Sequence, residues 1–215
     1  MNTNSFKTHR TSHRWCKFSL TLVIASNLVV AVAQTVAVRA DPPAAKVGDR
    51  WKYENRDRRT GIKESESVRT VTSVTATQIE GTENDGKFVA TAELNFLETP
   101  TITLSSDARY LAFPLEVGKK WDFKFNLANK VTAVTSRWQL DAAVVAYEKV
   151  KVPAGEFDAF RIEYKGFWNN NTSGKNGRLL VTNWYAPATR SVVKREFDDT
   201  RNRSVSELVE FQLQP

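Results

Sequence analysis

Asp198 and Asp199 form the only pair of adjacent acidic residues in the 215-residue sequence. Two carboxylates are the catalytic groups of most glycosidases, so this pair is the first candidate for chemistry. Neighbouring residues of a strand point to opposite faces, however, and the segment Asp198–Asn202 has the composition of a turn. We therefore predict that both carboxylates are solvated and that neither is catalytic. Acid–base chemistry on Lys or Tyr and oxygen-ligated Ca²⁺ remain possible.

The residue types that are missing limit the chemistry further. From Asp41 onward there is no Cys, His or Met, because Cys16, His9 and His13 all lie among the first forty residues. A Ser-His-Asp triad, a cysteine nucleophile and the common zinc sites therefore cannot form in residues 41–215. A disulfide cannot form there either. We predict a protein that is not an enzyme and that holds no metal and no cofactor.

The first forty residues have the organisation of a secretory signal peptide. Four basic residues precede an apolar run over residues 18–33, and small residues then offer cleavage after Ala33 or after Ala40. The order of basic region, apolar region and small-residue site is typical of such a leader. The apolar run of about sixteen residues is shorter than the roughly 20 needed to span a bilayer, so the mature chain is predicted to have no transmembrane span.

The leader also changes the meaning of the overall charge. The chain has 31 basic and 24 acidic residues, a net charge of +7, and five of the basic residues lie in residues 1–40. The remaining 26 basic residues face 24 acidic ones, a net of +2. This balance gives no support to nucleic-acid binding. We predict an exported protein in the periplasm or outside the cell, with association with the outer membrane as a further option.

Residues 41–215 have the pattern of a single all-β domain. Apolar residues alternate with polar ones over 88–96, 121–127 and 138–152, and no segment has helical spacing. Pro153 and Gly155 favour a turn between strands ending near Val152 and starting near Phe157. Turn residues separate nine to eleven strands, which predicts an antiparallel meander. The length of the strands around 62–80 and 131–152 favours a curved sheet or a full or half barrel, with a bulge in the second.

A short motif occurs twice in this domain. The pattern V-G-x-[RK]-W-x-[YF] begins at Val47 and returns at Val117, seventy residues later. In both copies a glycine suited to a turn precedes a tryptophan that opens a strand. The domain is therefore interpreted as two related halves that start near residues 47 and 117, with coincidence as the alternative.

Three segments together resemble a family of uncharacterised exported bacterial β-domains. They are Val117–Trp121 with the pattern VGxxW, Val152–Ile162 with VPAGxF, and Trp184–Lys194 with WYAP followed by VVK. Many relatives carry a glycine shortly after the Ala-Pro pair, where this chain has Arg190 and Ser191. The resemblance implies an envelope or secreted protein without known catalytic residues. It also implies a curved sheet similar to that of bacterial lipoprotein carriers, by analogy of fold.

Two binding functions follow from the aromatic residues. The first is binding of an apolar ligand (a lipid, an acyl chain or a lipoprotein) or of an envelope partner by the concave face of the sheet, predicted to carry Trp121, Phe123, Phe125, Trp138, Phe160 and Tyr164. The second is binding of a carbohydrate or of the cell wall by a surface predicted to carry Trp168, Trp184 and Tyr185. In either case the alternative is that these aromatic residues only fill the core or end a strand.

Overall fold

The structure is a computed structural model that describes residues 1–4, 38–105 and 108–215. The predicted leader, residues 1–40, lies largely outside the described residues. Contacts divide the chain into residues 1–35 and 36–215. Of the first unit only residues 1–4 are described, and they have no regular secondary structure. In the described part of the chain, no helix is long and apolar enough to cross a membrane.

The described residues of the second unit are almost entirely β-strand. The strands are β1 (Arg39–Ala40), β2 (Arg50–Asp57), β3 (Lys63–Val74), β4 (Gln78–Glu83), β5 (Gly86–Thr91), β6 (Phe96–Glu98), β7 (Ile102–Leu104), β8 (Leu115–Glu116), β9 (Lys120–Asn129), β10 (Thr135–Val152), β11 (Gly155–Asn170), β12 (Asn176–Ala186), β13 (Ser191–Asp198) and β14 (Arg203–Gln212). A short 3-10 turn, Pro187–Thr189, connects β12 to β13.

Twelve of these strands form a closed antiparallel barrel. The neighbours run β10-β11-β12-β13-β14-β2-β3-β4-β5-β6-β7-β9, and β9 pairs with β10 to close the ring. β1 and β8 form a separate two-stranded ribbon. The prediction of an all-β antiparallel fold is confirmed, and of the predicted alternatives the structure has the full barrel.

Alternation of side chains explains why these segments form the barrel wall. Along β9 the exposed Lys120, Asp122 and Lys124 alternate with Phe123 and Phe125, which are buried inside. Such a strand has one face for solvent and one for the core. β10 keeps the same alternation to its end at Val152, although its register against β11 shifts between Val144 and Ala146. This irregularity is the bulge expected for so long a strand, since an extra residue bends the strand and increases its twist.

The two copies of the glycine–tryptophan motif have the same local geometry. Gly48 and Gly118 have φ angles of +92° and +94°, which glycine adopts without steric cost. Their N–H groups donate to the carbonyls of Val71 (2.9 Å) and Val144 (2.8 Å). Val71 and Val144 donate in return to the residue after each glycine, and each valine precedes a register shift. In both copies, the motif thus connects the start of one strand to the bulge of another through two backbone hydrogen bonds.

A chain segment fills one part of the barrel from within. Some of the described residues between β7 and β8 are almost completely inaccessible to solvent, although Ser105 and Arg109 are exposed. Ala108 and Leu111 pack in a cluster with residues of β9 to β12. The buried members of this segment and of β8 are Ala108, Leu111, Ala112 and Leu115. The side chain of Asn95 accepts from the N–H of Leu111 and donates to its carbonyl, both at 2.8 Å. These two bonds satisfy the buried backbone groups and fix the segment to the wall.

A second apolar cluster lies around Trp51, Phe88 and Leu208. Next to it, the fully buried carboxylate of Asp49 accepts hydrogen bonds from Arg190 (2.9 Å) and from the N–H of Gln214 (2.7 Å). This ion pair joins the start of β2 to the turn before β13. Because neither charge has another counter-ion in the described residues, each depends on the other.

We expect Asp49→Asn to lower the free energy of unfolding by about 3 kcal/mol, since it leaves the guanidinium of Arg190 without its counter-ion. Denaturant unfolding of the mature protein measures the change. The matched control is Glu156→Gln, because Glu156 pairs with Lys149 at 3.6 Å on the exposed surface. That variant should change stability by less than about 1 kcal/mol. Equal effects of the two substitutions would contradict the role given to Asp49.

The ribbon of β1 and β8 bears on the cleavage site of the leader. Ala40 is 5% exposed and belongs to the core cluster, and Arg39 pairs with Asp41 and Glu116. Cleavage after Ala40 would remove these contacts, whereas cleavage after Ala33 keeps them. We therefore expect the intact mass of the exported protein to correspond to a chain that starts at Gln34. A mass that starts at Asp41 would show that the ribbon is dispensable.

Candidate ligand-binding cavity

The barrel encloses a cavity of about 760 Å³. It occupies the part of the interior that the segment 108–115 leaves open, and Tyr110 and Leu111 of that segment line it. Asn84 and Asp85 in the β4–β5 turn also line it and are exposed, so the cavity reaches the solvent at that turn. A twelve-stranded barrel is wider than one whose interior the wall side chains alone can fill, and this explains the remaining space.

Most of the cavity wall is apolar. It combines aromatic and aliphatic side chains from strands on all sides of the barrel. The principal apolar lining residues are Trp51, Tyr53, Phe88, Phe96, Ile102, Leu104, Phe125, Leu127, Trp138 and Phe197. Such a surface suits a ligand with an extended apolar part.

Polar side chains cross one part of this wall in a continuous row. The register places Asn183 of β12 opposite Arg195 of β13, which faces Ser206 of β14. Ser206 in turn faces Asn55 of β2, and Asn55 faces Ser65 of β3. All five line the cavity. Directly paired residues on one face lie about 5 Å apart, so the row offers closely spaced donors and acceptors.

Arg69 on β3 is an arginine with its charge already paired. Its guanidinium donates to Glu83 on β4 at 3.0 Å. The same group lies 4.5 Å from the ring centroid of Phe96 and 5.3 Å from that of Tyr53. These contacts hold it against the wall, and they combine an ion pair with cation–π attraction.

Arg195 on β13 is different, because no ion pair joins it to a carboxylate in the described residues. Its guanidinium lies 5.3 Å from the ring centroid of Tyr110 and 5.8 Å from that of Phe197. The buried Nε atom has no hydrogen-bond partner among the described residues. A positive charge among aromatic rings therefore faces the cavity.

Asn183, beside Arg195, is 4% exposed and is also incompletely bonded. Its Nδ2 donates to the hydroxyl of Tyr164 at 3.4 Å, and that hydroxyl donates to the carbonyl of Tyr110. Its Oδ1 accepts no hydrogen bond from the described residues. A buried amide oxygen without a donor costs free energy, so this position favours a ligand that supplies one.

Tyr53 and Tyr110, which line the cavity, and Tyr164, which lies in the adjoining core, are neutral groups. Burial raises the pKa of Tyr53 and of Tyr110 above the usual value, although the nearby Arg69 and Arg195 each act in the opposite direction. Burial also raises the pKa of Tyr164 far above its usual range. Desolvation disfavours the phenolate, so all three remain protonated at neutral pH and act as hydrogen-bond donors and acceptors.

The structure separates the six residues predicted to bind an apolar ligand. Phe125 and Trp138 line the cavity. Phe123, Phe160 and Tyr164 are buried in the core cluster, and Trp121 packs against that cluster while its indole donates to the carbonyl of Arg109 at 2.7 Å. The predicted concave face is therefore mostly closed core, and the accessible wall lies on neighbouring strands.

The three residues predicted to form a carbohydrate-binding surface do not all lie at the surface. Tyr185 is 1% exposed and lies in the core, which corrects its assignment to the surface. Trp184 is half-buried, donates to Glu148 at 2.9 Å and has Lys194 over its ring at 5.1 Å. Trp168 is half-buried against the core and has Arg201 over its ring.

Asp198 is the last residue of β13 and Asp199 follows it in the β13–β14 turn, which the sequence predicts. Asp198 accepts from the N–H of Thr200 at 2.8 Å, and Asp199 accepts from that of Asn202 at 2.7 Å. They stabilise the turn. Within residues 1–4, 38–105 and 108–215, no group of three or more His, Cys, Asp or Glu side chains is arranged to hold a metal ion.

Sequence reasoning missed Arg69, Asn183 and Arg195. The signal for Arg195 is its position between Val193 and Phe197, on the same side of the strand as these apolar residues. Arg69 has the same relation to Val71, and Asn183 to Val181 and Tyr185. A polar side chain at an inward position is informative because burial without a partner is costly.

Comparisons with known proteins show which solved structures have a similar fold. No family model matches the sequence, and no curated protein matches it. A candidate exported protein with a YmcC-like fold from Bacteroides fragilis is 15% identical, with a TM-score of 0.56, and the match covers 81% of this chain and 100% of that one. A candidate lipoprotein from Parabacteroides distasonis is also 15% identical, with a TM-score of 0.56 and coverage of 80% and 99%.

The hypothetical lipoprotein YmcC from Escherichia coli is 10% identical, with a TM-score of 0.47 and coverage of 74% and 83%. Similarity at these identities concerns the fold. The chain thus has an antiparallel barrel similar to the YmcC-like fold of the Bacteroides protein.

Proposed function

We propose that this chain is an exported, non-enzymatic barrel protein that binds a lipid-like ligand, with at least one acyl chain, in its interior cavity. The observation that carries the proposal is the cavity of about 760 Å³, whose mostly apolar wall includes aromatic side chains. Its volume lies within the range of roughly 300–1,000 Å³ that is typical of small-molecule sites. The acyl chain of a free lipid and that of a lipoprotein are two sources of the same chemistry.

The distribution of side chains supports a binding site rather than an imperfectly packed core. Protein interiors are close-packed, and spaces much larger than a water molecule are few. In this barrel one part of the interior is filled by Leu111, Leu115 and their neighbours, which are almost fully buried. The other part stays open and reaches the solvent beside Asn84. Dense packing next to a large opening is what a specific site requires.

Export has separate support. Residues 1–40 have the order of regions of a secretory signal peptide. The motifs at Val117–Trp121, Val152–Ile162 and Trp184–Lys194 resemble those of exported bacterial β-domains. The structurally similar Bacteroides and Parabacteroides proteins are described as a candidate exported protein and a candidate lipoprotein. The periplasm or the outer surface of a bacterium is the location that agrees with all three.

The carbohydrate-binding alternative has less support. Stacking on a sugar needs an open aromatic face, but Lys194 lies over the ring of Trp184 and Arg201 over that of Trp168. Both rings are already covered by cations.

Native mass spectrometry of the protein purified gently from the exporting cell tests for a bound ligand directly. We expect a copurifying mass in the range of a fatty acid or lipid that organic solvent removes. In parallel, the delipidated protein should bind the fluorescent apolar probe N-phenyl-1-naphthylamine with a stoichiometry of one. Absence of both signals would contradict the proposal.

A cavity-filling variant tests the location of the site. Ser67 lines the cavity from β3, and Ser67→Phe places a ring in the open space. We expect probe affinity to fall by at least about tenfold, or about 1.4 kcal/mol, without loss of thermal stability. The control is Gln139→Phe, which adds the same ring at an exposed position of β10. Unchanged affinity in Ser67→Phe, or an equal loss in the control, would place binding elsewhere.

A further inference from the structure

The polar row of the cavity wall indicates the chemistry of the ligand's head group. This inference rests on the proposed function. We infer that the ligand has an oxyanion head, a carboxylate or a phosphate, which Arg195 binds inside the barrel. The apolar chain then lies along the aromatic wall. The class of ligand is therefore an amphiphile with a negative head and at least one apolar chain.

The first argument is the charge of Arg195. Its guanidinium is permanently positive, and in the described residues no salt bridge joins it to a carboxylate. Its Nε–H is buried and donates to no atom of the described residues. The guanidinium is partly buried and its polar partner among the described residues is the neutral Tyr110 side chain. A partly buried cation without a counter-ion is unfavourable, and it is stabilised when an anion binds. The planar guanidinium matches carboxylate and phosphate oxygens in geometry.

Arg69 provides an internal comparison. It also lines the cavity, lies against aromatic rings and has an Nε atom without a hydrogen-bond partner in the described residues, but its guanidinium donates to Glu83 at 3.0 Å. Arg69 on β3 is thus an inward arginine whose charge is neutralised by a glutamate of the neighbouring strand. On β13 the corresponding acid is missing among the described residues, so the ligand is the natural source of the negative charge.

Asn183 provides the second, independent observation. It is 4% exposed, lies directly opposite Arg195 in the register, and its Oδ1 has no donor among the described residues. An unbonded donor on Arg195 and an unbonded acceptor on Asn183 therefore lie side by side at the cavity wall. A head group with an anionic oxygen and a neighbouring hydroxyl complements both. An apolar chain complements neither, so this part of the wall is built for a polar head.

The arrangement of the remaining wall indicates where the chain of the ligand goes. Phe197 and Trp138 stack near Arg195, with their ring centroids 6.2 Å apart. Phe125 lies beyond Trp138 at 5.5 Å, and Leu127 continues the same surface of β9. This apolar surface starts at the cation and leads away from it. A head bound at Arg195 therefore places its chain on Trp138 and Phe125.

Competition binding with three ligands of equal chain length tests the charge of the head group. Hexadecanoate, hexadecyl phosphate and uncharged 1-hexadecanol are each used to displace N-phenyl-1-naphthylamine from the delipidated protein. We expect at least one anion to bind about ten- to a hundredfold more tightly than the alcohol, since hydrogen bonds to a charged group are the stronger ones. The tighter of the two anions assigns the head as carboxylate or phosphate. Equal binding of all three ligands would overturn the inference.

Variants of Arg195 test whether this residue binds the negatively charged head group. Arg195→Met keeps an apolar stem of similar reach, and we expect it to bind the anions no better than 1-hexadecanol. Arg195→Lys should restore part of the preference because it restores the positive charge. The control is Arg137→Met, which removes an exposed charge from the outer face of β10. A preference for the anions that survives in Arg195→Met would exclude Arg195 as their partner.

The outcomes separate this inference from the proposed function. If 1-hexadecanol binds the wild-type protein but the anions bind no better, the apolar site stands and the oxyanion head is wrong. If neither the probe nor any of the three ligands binds, the proposed function itself is wrong. If Arg195→Met does not fold, the comparison of anion and alcohol on the wild-type protein still decides the charge of the head.

Discussion

The constraint on which the structure depends is the closure of twelve strands into one ring. The diameter of a barrel grows with the number of its strands, and about eight strands already leave an interior that wall side chains just fill. Twelve strands leave more space, and the chain fills part of it with the segment that contains Leu111 and Leu115. The unfilled remainder is the cavity. The packed core and the cavity are thus two parts of one interior, and the position of that segment sets the boundary between them.

The polar groups inside the barrel are of two kinds. Some have all their hydrogen-bond partners within the chain, and others keep an atom without a partner. Asp49 and Arg190 satisfy each other, and Asn95 satisfies the backbone of Leu111, so these two networks of the packed part are complete. At the cavity, Arg195 and Asn183 keep unbonded atoms. Complete networks stabilise a single structure, whereas incomplete ones favour the binding of a partner. The position of the unbonded atoms is therefore informative about the ligand.

Strand alternation, the turn at Pro153 and the bulge in β10 are local properties, and the sequence predicts them because each depends on neighbouring residues. Full closure is not local, since it depends on β14 pairing with β2 and β9 with β10. The candidate site likewise combines features that depend on neighbouring residues with features that depend on distant parts of the chain. Phe125 and Trp138 could be predicted as aromatic residues of an inner face, but which inner residues are accessible depends on segment 108–115. Tyr185 was misplaced because its neighbour Trp184 faces outward and the register shifts between them.

The pairing of β14 with β2 also has a consequence for folding. These two strands are more than 140 residues apart in the chain, and the ring cannot close until both are available. Contacts between distant residues slow folding, because the entropy of ordering the intervening chain is lost before the contacts form. The barrel therefore cannot close before the last strand has been synthesised. This order agrees with the proposed export, because the chain is translocated before its barrel is complete.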